Sequence, residues 1–153
     1  MTKIGSLSVL GWREWVALPD LGVDQIKVKL DTGARSSSIH AFEVQVYREQ
    51  GVDRVRFSVH PLQRNDRTII QADAPLLEYR LVRSSNGQTD ERPVIVTHVH
   101  VAGQAWPIEL TLANRDAMGF RMLLGREALK GRFCVDSASS YLAGRKKRKG
   151  PSA

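Results

Sequence analysis

Apolar and polar residues alternate with a period of two along most of the chain, the pattern of strands buried on one face. "EWVAL" at 14–18 runs through the turn-forming "PDLG" into "QIKVKL" at 25–30, which predicts a hairpin. "FEVQVY" and "RVRFSV" flank "REQGVD" and predict a second. "LLEYRLV" and "RPVIVTHVHV" flank "RSSNGQTDE", where Asn86-Gly87 is the strongest short hairpin signal in the chain. "WPIELTL" at 106–112 follows a turn at Ala102-Gly103-Gln104, and "FCV" and "SYL" read as closing strands. Only "GREALKG" at 125–131 reads as helix, barely two turns long. With no internal repeat and no βαβ rhythm, the pattern predicts a small all-β barrel or closed sandwich.

Length and composition narrow this little. A chain of 153 residues, 42% hydrophobic and 25% charged, suits one soluble domain with one core. No signal peptide is expected, since Arg13 and Glu14 follow the short N-terminal apolar patch at once. The longest uncharged stretch, 94–108, holds two histidines, a glycine and a proline, so no membrane association is expected. Cys134 is the single cysteine; no internal disulfide is possible, and a reducing cytoplasm is the simplest location. Charge changes the picture more. "RKKRK" at 145–149 carries five of the positive charges, and without them the net +7 falls to +2. The chain therefore reads as a domain over 1–142 and a disordered basic tail over 143–153. That tail is either a solubilising end or an attraction for an anionic partner.

The candidate chemistry lies in "VKLDTGARSSSIHA" at 28–41. Alternation buries Ile26, Val28 and Leu30, so Asp31 stands where a strand ends, followed by Thr32, Gly33 and Ala34. Turns alone explain such residues in most chains. Far downstream, "RMLLGREALKG" sets two or three apolar residues before Gly125-Arg126 and a short helix.

Together these two elements resemble the retropepsins, the single-lobed aspartic proteases typified by retroviral enzymes. The resemblance implies a closed acid-protease barrel with one short C-terminal helix, in which Leu123, Leu124, Gly125 and Arg126 pack beneath the Asp31 loop. It also implies that Asp31 is catalytic. Two carboxyls held together share a proton, so one serves as base toward water and the other as acid toward the carbonyl oxygen. The chain has one such motif; "DSAS" at 136–139 lacks the glycine and the apolar lead-in and is a poor second copy. A dyad then requires a homodimer. In it, Thr32 would bond across the paired loops and Gly33 would leave room for their approach. "IGSLSVL" and "SYL" are candidates for strands interleaved at the dimer interface. A substrate-covering flap falls at 80–96, with Ser84 to Gln88 at its tip and Ser84, Ser85, Asn86 and Gly87 as substrate-binding candidates.

"GWREWVALPDLGVDQIKVKLDTGARSSSIHA", "ERPVIVTHVHV", "ANRDAMGFRMLLGREAL" and "RFCVDSASSYL" are more similar still to a bacterial family labelled ATP-dependent zinc proteases. Its genes accompany ATP-grasp ligases that add glutamates to a ribosomal protein. The residues do not support that label: there is no phosphate-binding Gly-x-x-x-x-Gly-Lys motif and no His-Glu-x-x-His. His98 and His100 share a strand face without a third ligand nearby, and read as strand histidines. No cofactor and no metal are expected.

One departure from the viral pattern bears on substrate. Arg35 stands where an acidic residue usually pairs with the arginine of Gly-Arg, which leaves Arg126 to Glu127 or Asp136 and makes the neighbouring subsite positive. With Ser36, Arg35 and Arg126 are candidate substrate-binding residues. The expectation is an aspartic endopeptidase that trims acidic, oligo-glutamate extensions on a protein such as a ribosomal protein. The alternative is a non-enzymatic barrel that binds RNA or the ribosome through the tail and Trp12, Trp15 or Trp106.

Overall fold

Twelve strands form in the computed structural model, which describes residues 2–62, 67–83, 86–114 and 119–144. They are β1 (Lys3–Ile4), β2 (Leu7–Gly11), β3 (Arg13–Leu18), β4 (Val23–Asp31), β5 (Ser37–His40), β6 (Phe42–Glu49) and β7 (Val52–Val59). The long pair β8 (Ile70–Arg83) and β9 (Thr89–Val101) comes next, then β10 (Gln104–Ala113) and β11 (Met122–Gly125). A helical turn, α1 (Arg126–Leu129), precedes β12 (Phe133–Asp136).

The strands run β10-β5-β11-β4-β3-β9, and β9 pairs back onto β10, closing a six-stranded barrel. β8, β7 and β6 continue outward from β9 as a sheet extension. A separate three-stranded sheet, β1-β2-β12, joins the N-terminal strands to the last strand. The predicted all-β barrel with one short helix is the observed class.

Alternation does the sorting. Ile26 and Val28 on β4 are fully buried and Leu30 is 5% exposed, while Lys27 and Lys29 between them lean outward. Each such side chain removed from water contributes about 1.5–3 kcal/mol, which is why register is pinned wherever one face is apolar. The β9–β10 hairpin closes on Ala102 and Gly103, both at positive φ (55° and 74°), as a two-residue turn matched to the strand twist requires.

Two expectations are corrected. The helix is one turn, closed by the Lys130 N–H on the Arg126 carbonyl, because Gly131 at φ 76° turns the chain away. "SYL" is not a strand. Tyr141 donates its N–H to the Arg13 carbonyl, and the N–H groups of Leu142 and Ala143 reach the Glu14 carboxylate at 2.9 and 3.0 Å. Within the chain, the N-terminal segment pairs with the C-terminal strand: β2 runs in parallel with β12, Ser8 opposite Phe133 through Gly11 opposite Asp136. The basic segment at 145–153 lies outside the described residues.

Candidate active site

β11 threads between the strands on either side of the Asp31 loop. It pairs in parallel with β4, Met122 opposite Val28 through Gly125 opposite Asp31, and antiparallel with β5, Met122 opposite Ile39. The 32–36 loop must therefore cross the end of β11. Gly125 makes the crossing possible: a Cβ there would lie 2.6 Å from the Ser36 carbonyl carbon and 2.9 Å from the Ala34 oxygen. Its φ of −90° is ordinary, so the requirement is space alone.

Backbone groups then bind the two elements. The Gly125 N–H donates to the Ser37 hydroxyl at 3.0 Å, in a buried contact. The next two, Arg126 N–H and Glu127 N–H, donate to the carbonyls of Ala34 (2.7 Å) and Arg35 (3.1 Å). These are the donors that the start of a helical turn leaves without partners, and the loop supplies their acceptors. Asp31 Oδ1 accepts the N–H groups of Gly33 (3.0 Å) and Ala34 (3.2 Å), a turn made by an aspartate on its own backbone. Among the described residues, Oδ2 accepts nothing.

The remaining sequence candidates fall into two groups. Thr32 and Gly33 are exposed on the loop, and Arg35 and Ser36 are exposed beside it. Arg126 departs from expectation: instead of a carboxylate from Glu127 or Asp136, its guanidinium takes the Thr32 carbonyl at 3.3 Å. Asp136 is occupied elsewhere, by the Ala138 N–H and the Ser139 hydroxyl. Asn86 and Gly87 make the turn of the long β8–β9 hairpin, with Asn86 Oδ1 accepting the Gln88 N–H. Ser84 and Ser85 lie outside the described residues. At the hairpin's base Arg80 binds Glu78 and Glu109, tying β8 to β10. The three tryptophans are engaged by neighbours: Trp12 edge-on to Phe120, Trp15 stacked on Tyr141, and Trp106 buried with its N–H on the Ala128 carbonyl.

His98 donates its backbone N–H to Asp20 and places Nδ1 2.7 Å from the same carboxylate. The side-chain contact with His98, then that N–H, hold the Asp20 carboxyl below its ordinary range.

Sequence reasoning missed Glu14 and set the Asp136 turn aside as a poor second copy. Glu14 is fully buried and accepts the Gly11 N–H at 2.6 Å besides those of Leu142 and Ala143. The signal was present, because Glu14 shares the inward phase of Val16 and Leu18. A carboxylate on that phase demands partners.

A closed six-stranded barrel whose Asp-Thr-Gly loop rests on an apolar Gly-Arg strand and helix defines a retropepsin-like chain. A family model described as the retropepsin-like aspartic endopeptidase RimB matches residues 9–146, and the chain belongs to that family. It is 43% identical over 138 residues to a Shewanella pealeana protein named "Probable alpha-L-glutamate ligase", covering 90% of this chain and 30% of that protein. A Parasynechococcus marenigrum protein of the same name is 46% identical, with 89% of this chain and 29% of that one covered. The chain thus spans about three tenths of these curated relatives. A solved structure of a Legionella pneumophila protein of unknown function shares the fold, with a TM-score of 0.74 at 24% identity over 89% of this chain and 98% of that one.

Proposed function

We propose that the chain is a homodimeric aspartic endopeptidase whose active site joins two Asp31 side chains, one from each protomer. The observation that carries this reading is the state of the Asp31 carboxyl. One oxygen is fixed by two backbone N–H groups and the other accepts nothing among the described residues. A carboxyl so held is oriented without being consumed. Two of them face to face share one proton, because adjacent carboxylates resist double ionisation. The ionised member takes a proton from water as the water oxygen attacks the peptide carbonyl carbon. The protonated member donates its proton to the carbonyl oxygen. Collapse of the resulting gem-diol breaks the C–N bond, and the amine leaves with a proton from the dyad. Exposed Thr32 and Gly33 are where the second loop would dock. The β8–β9 hairpin is the covering flap.

The substrate is an acidic extension on a protein, such as an oligo-glutamate tail on a ribosomal protein. Exposed Arg35 beside the loop supports this, since a guanidinium fork binds a carboxylate in two places. The relatives' name supports it too: a segment like this one shares a polypeptide with a named glutamate ligase. The chemistry requires neither ATP nor a metal.

Asp31→Asn is expected to remove hydrolysis of a Glu-rich peptide while leaving the circular dichroism spectrum unchanged. Excess Asp31→Asn chains should poison wild type through mixed dimers, and specific activity should fall on dilution. Undiminished turnover in a stable monomer, or activity lost to EDTA and restored by zinc, would overturn the reading. Arg35→Ser should narrow the preference for Glu-rich over apolar peptides by roughly tenfold at low salt and less at high salt. An unchanged preference would remove the acidic-substrate assignment.

A further inference from the structure

A cleft of about 620 Å³ opens beside the Asp31 corner, between β10 and the segment that follows α1. Its origin is topological. β10 pairs with β9 from Gln104 to Thr111, but with β5 only from Leu110 onward. Between 104 and 109 no strand among the described residues pairs with the second edge of β10.

The two-residue turn at Ala102-Gly103 makes Val101 and Gln104 a hydrogen-bonded pair, so alternate residues Trp106 and Ile108 bond toward β9. The backbone groups of Ala105, Pro107 and Glu109 face the open edge. Pro107, lacking an N–H, is suited to such a place. Buried Trp106 lies below, its N–H on the Ala128 carbonyl at 3.0 Å.

The walls are charged and unbalanced. Arg80 is satisfied by Glu78 and Glu109. Arg35, Lys130 and Arg132 also line the cleft, all three exposed, and none has an ion pair among the described residues. Arg132 instead rests 4.9 Å above the Trp106 ring. Against these three cations stands one uncommitted carboxylate, Glu127. The loop that carries Arg35 begins at Asp31, and the Arg35 carbonyl is fixed by the Glu127 N–H at 3.1 Å. The wall that carries Arg35 is thus tied to the Asp31 corner.

We propose that this cleft docks an extended acidic polypeptide segment, laid along the open edge of β10 with its carboxylates on Lys130, Arg132 and Arg35. Its purpose rests on the peptidase reading: it would hold the acidic flank of a substrate while the neighbouring peptide bond reaches Asp31. A strand edge and cations together fit a peptide, which offers backbone donors, backbone acceptors and carboxylates at once. They fit a nucleic acid less well, because a phosphate chain would meet the cations but brings no ladder of N–H and C=O groups to pair with the open strand edge.

The test uses the full chain carrying Asp31→Asn, so that binding is read without cleavage. Fluorescence anisotropy of a labelled oligo-glutamate peptide should show saturable binding that weakens with salt. Adding Lys130→Glu with Arg132→Glu should weaken it by roughly tenfold or more at low salt. Lys130→Glu alone, which leaves the Arg132–Trp106 stack in place, should act in the same direction with a smaller effect. Unchanged affinity in the double variant overturns the proposal. So does loss of binding when Arg145, Lys146, Lys147, Arg148 and Lys149 are all replaced by serine, which would assign the peptide to the tail. Displacement of the peptide by single-stranded oligouridylate at lower concentration than by unlabelled peptide overturns it in favour of RNA. Failure of the peptidase reading is recorded separately, as cleavage by Asp31→Asn equal to wild type, and leaves the anisotropy result standing.

Discussion

Two aspartate corners in this chain are built on one plan. At each, a strand running in parallel with its neighbour ends in an aspartate opposite a glycine: Asp31 opposite Gly125, and Asp136 opposite Gly11. At each, a side-chain oxygen caps an N–H two residues on, from Gly33 in one and Ala138 in the other. Each facing glycine sits against a backbone carbonyl of the aspartate loop, Ser36 in one case and Ser139 in the other. Even the glycine N–H groups are matched, Gly125 on the Ser37 hydroxyl and Gly11 on the Glu14 carboxylate. The corners differ in what is left over. Asp136 spends its second oxygen on the Ser139 hydroxyl, whereas among the described residues Asp31 spends only Oδ1. A shared scaffold thus yields one closed carboxylate and one that can face a second group. Geometry makes the corner, and unspent valence makes it a candidate for chemistry.

Exchanging charge for amide at both corners separates them most directly. Asp31→Asn should lower peptide hydrolysis by roughly a thousandfold or more, since it removes the group proposed to move the proton. Asp136→Asn should leave the rate within about threefold of wild type, since general acid–base loss is orders larger than that. Equal losses in the two variants would mean that the closed carboxylate also serves the reaction, and the distinction drawn from Oδ2 would fail.

The glycines opposite the two aspartates give the next largest effect. A Cβ on Gly125 would lie 2.6 Å from the Ser36 carbonyl carbon, and one on Gly11 would lie 2.7 Å from that of Ser139. Backbone must move in both cases, so Gly125→Ala and Gly11→Ala should each cost on the order of 2–3 kcal/mol in urea unfolding. Activity separates them. Gly125→Ala displaces the loop that carries Asp31 and should lower kcat well beyond its effect on stability at assay temperature, while Gly11→Ala should not. A kcat loss confined to Gly11→Ala would reverse the assignment of the two corners.

What the sequence makes legible follows from how local each cause is. Alternation over five or six residues fixes strands and their buried faces, so Ile26, Val28 and Leu30 are readable without a structure. Asp-Thr-Gly with a downstream Leu-Leu-Gly-Arg points to the first corner, because both halves are short and distinctive. The second corner is hidden. Its Asp-Ser-Ala-Ser lacks a glycine, but the turn never needed one: Gly33 is absent from the positive-φ positions, and Ala138 fills the equivalent place. The glycine that the crossing does need is Gly11, distant in sequence and brought opposite only by parallel pairing. The strand that leads into it, Phe133–Asp136, puts just three residues before the aspartate, too few to stand out. The cleft is illegible for the same reason, since it exists where β5 stops short of β10, a property of register.

The smallest effect tests the closed corner itself. The Ala138 N–H, then the Ser139 hydroxyl, hold the Asp136 carboxyl below its ordinary value of 3.8. A carboxyl whose folded value is lowered adds stability that is present above the unfolded value and lost as pH falls through the folded one. Asp136→Asn keeps an oxygen acceptor for Ala138 but carries no charge. Wild type should therefore be slightly more stable than the variant at pH 6, and the difference should shrink below about pH 4 until the two coincide. Urea midpoints measured along that range would show it. Asp20, lowered by its contact with His98, shifts both proteins alike and cancels in the difference. A gap that persists unchanged in acid would mean that Asp136 serves by shape rather than charge. The closed corner would then be a turn that any short acceptor could make, and its likeness to the Asp31 corner would end at the backbone.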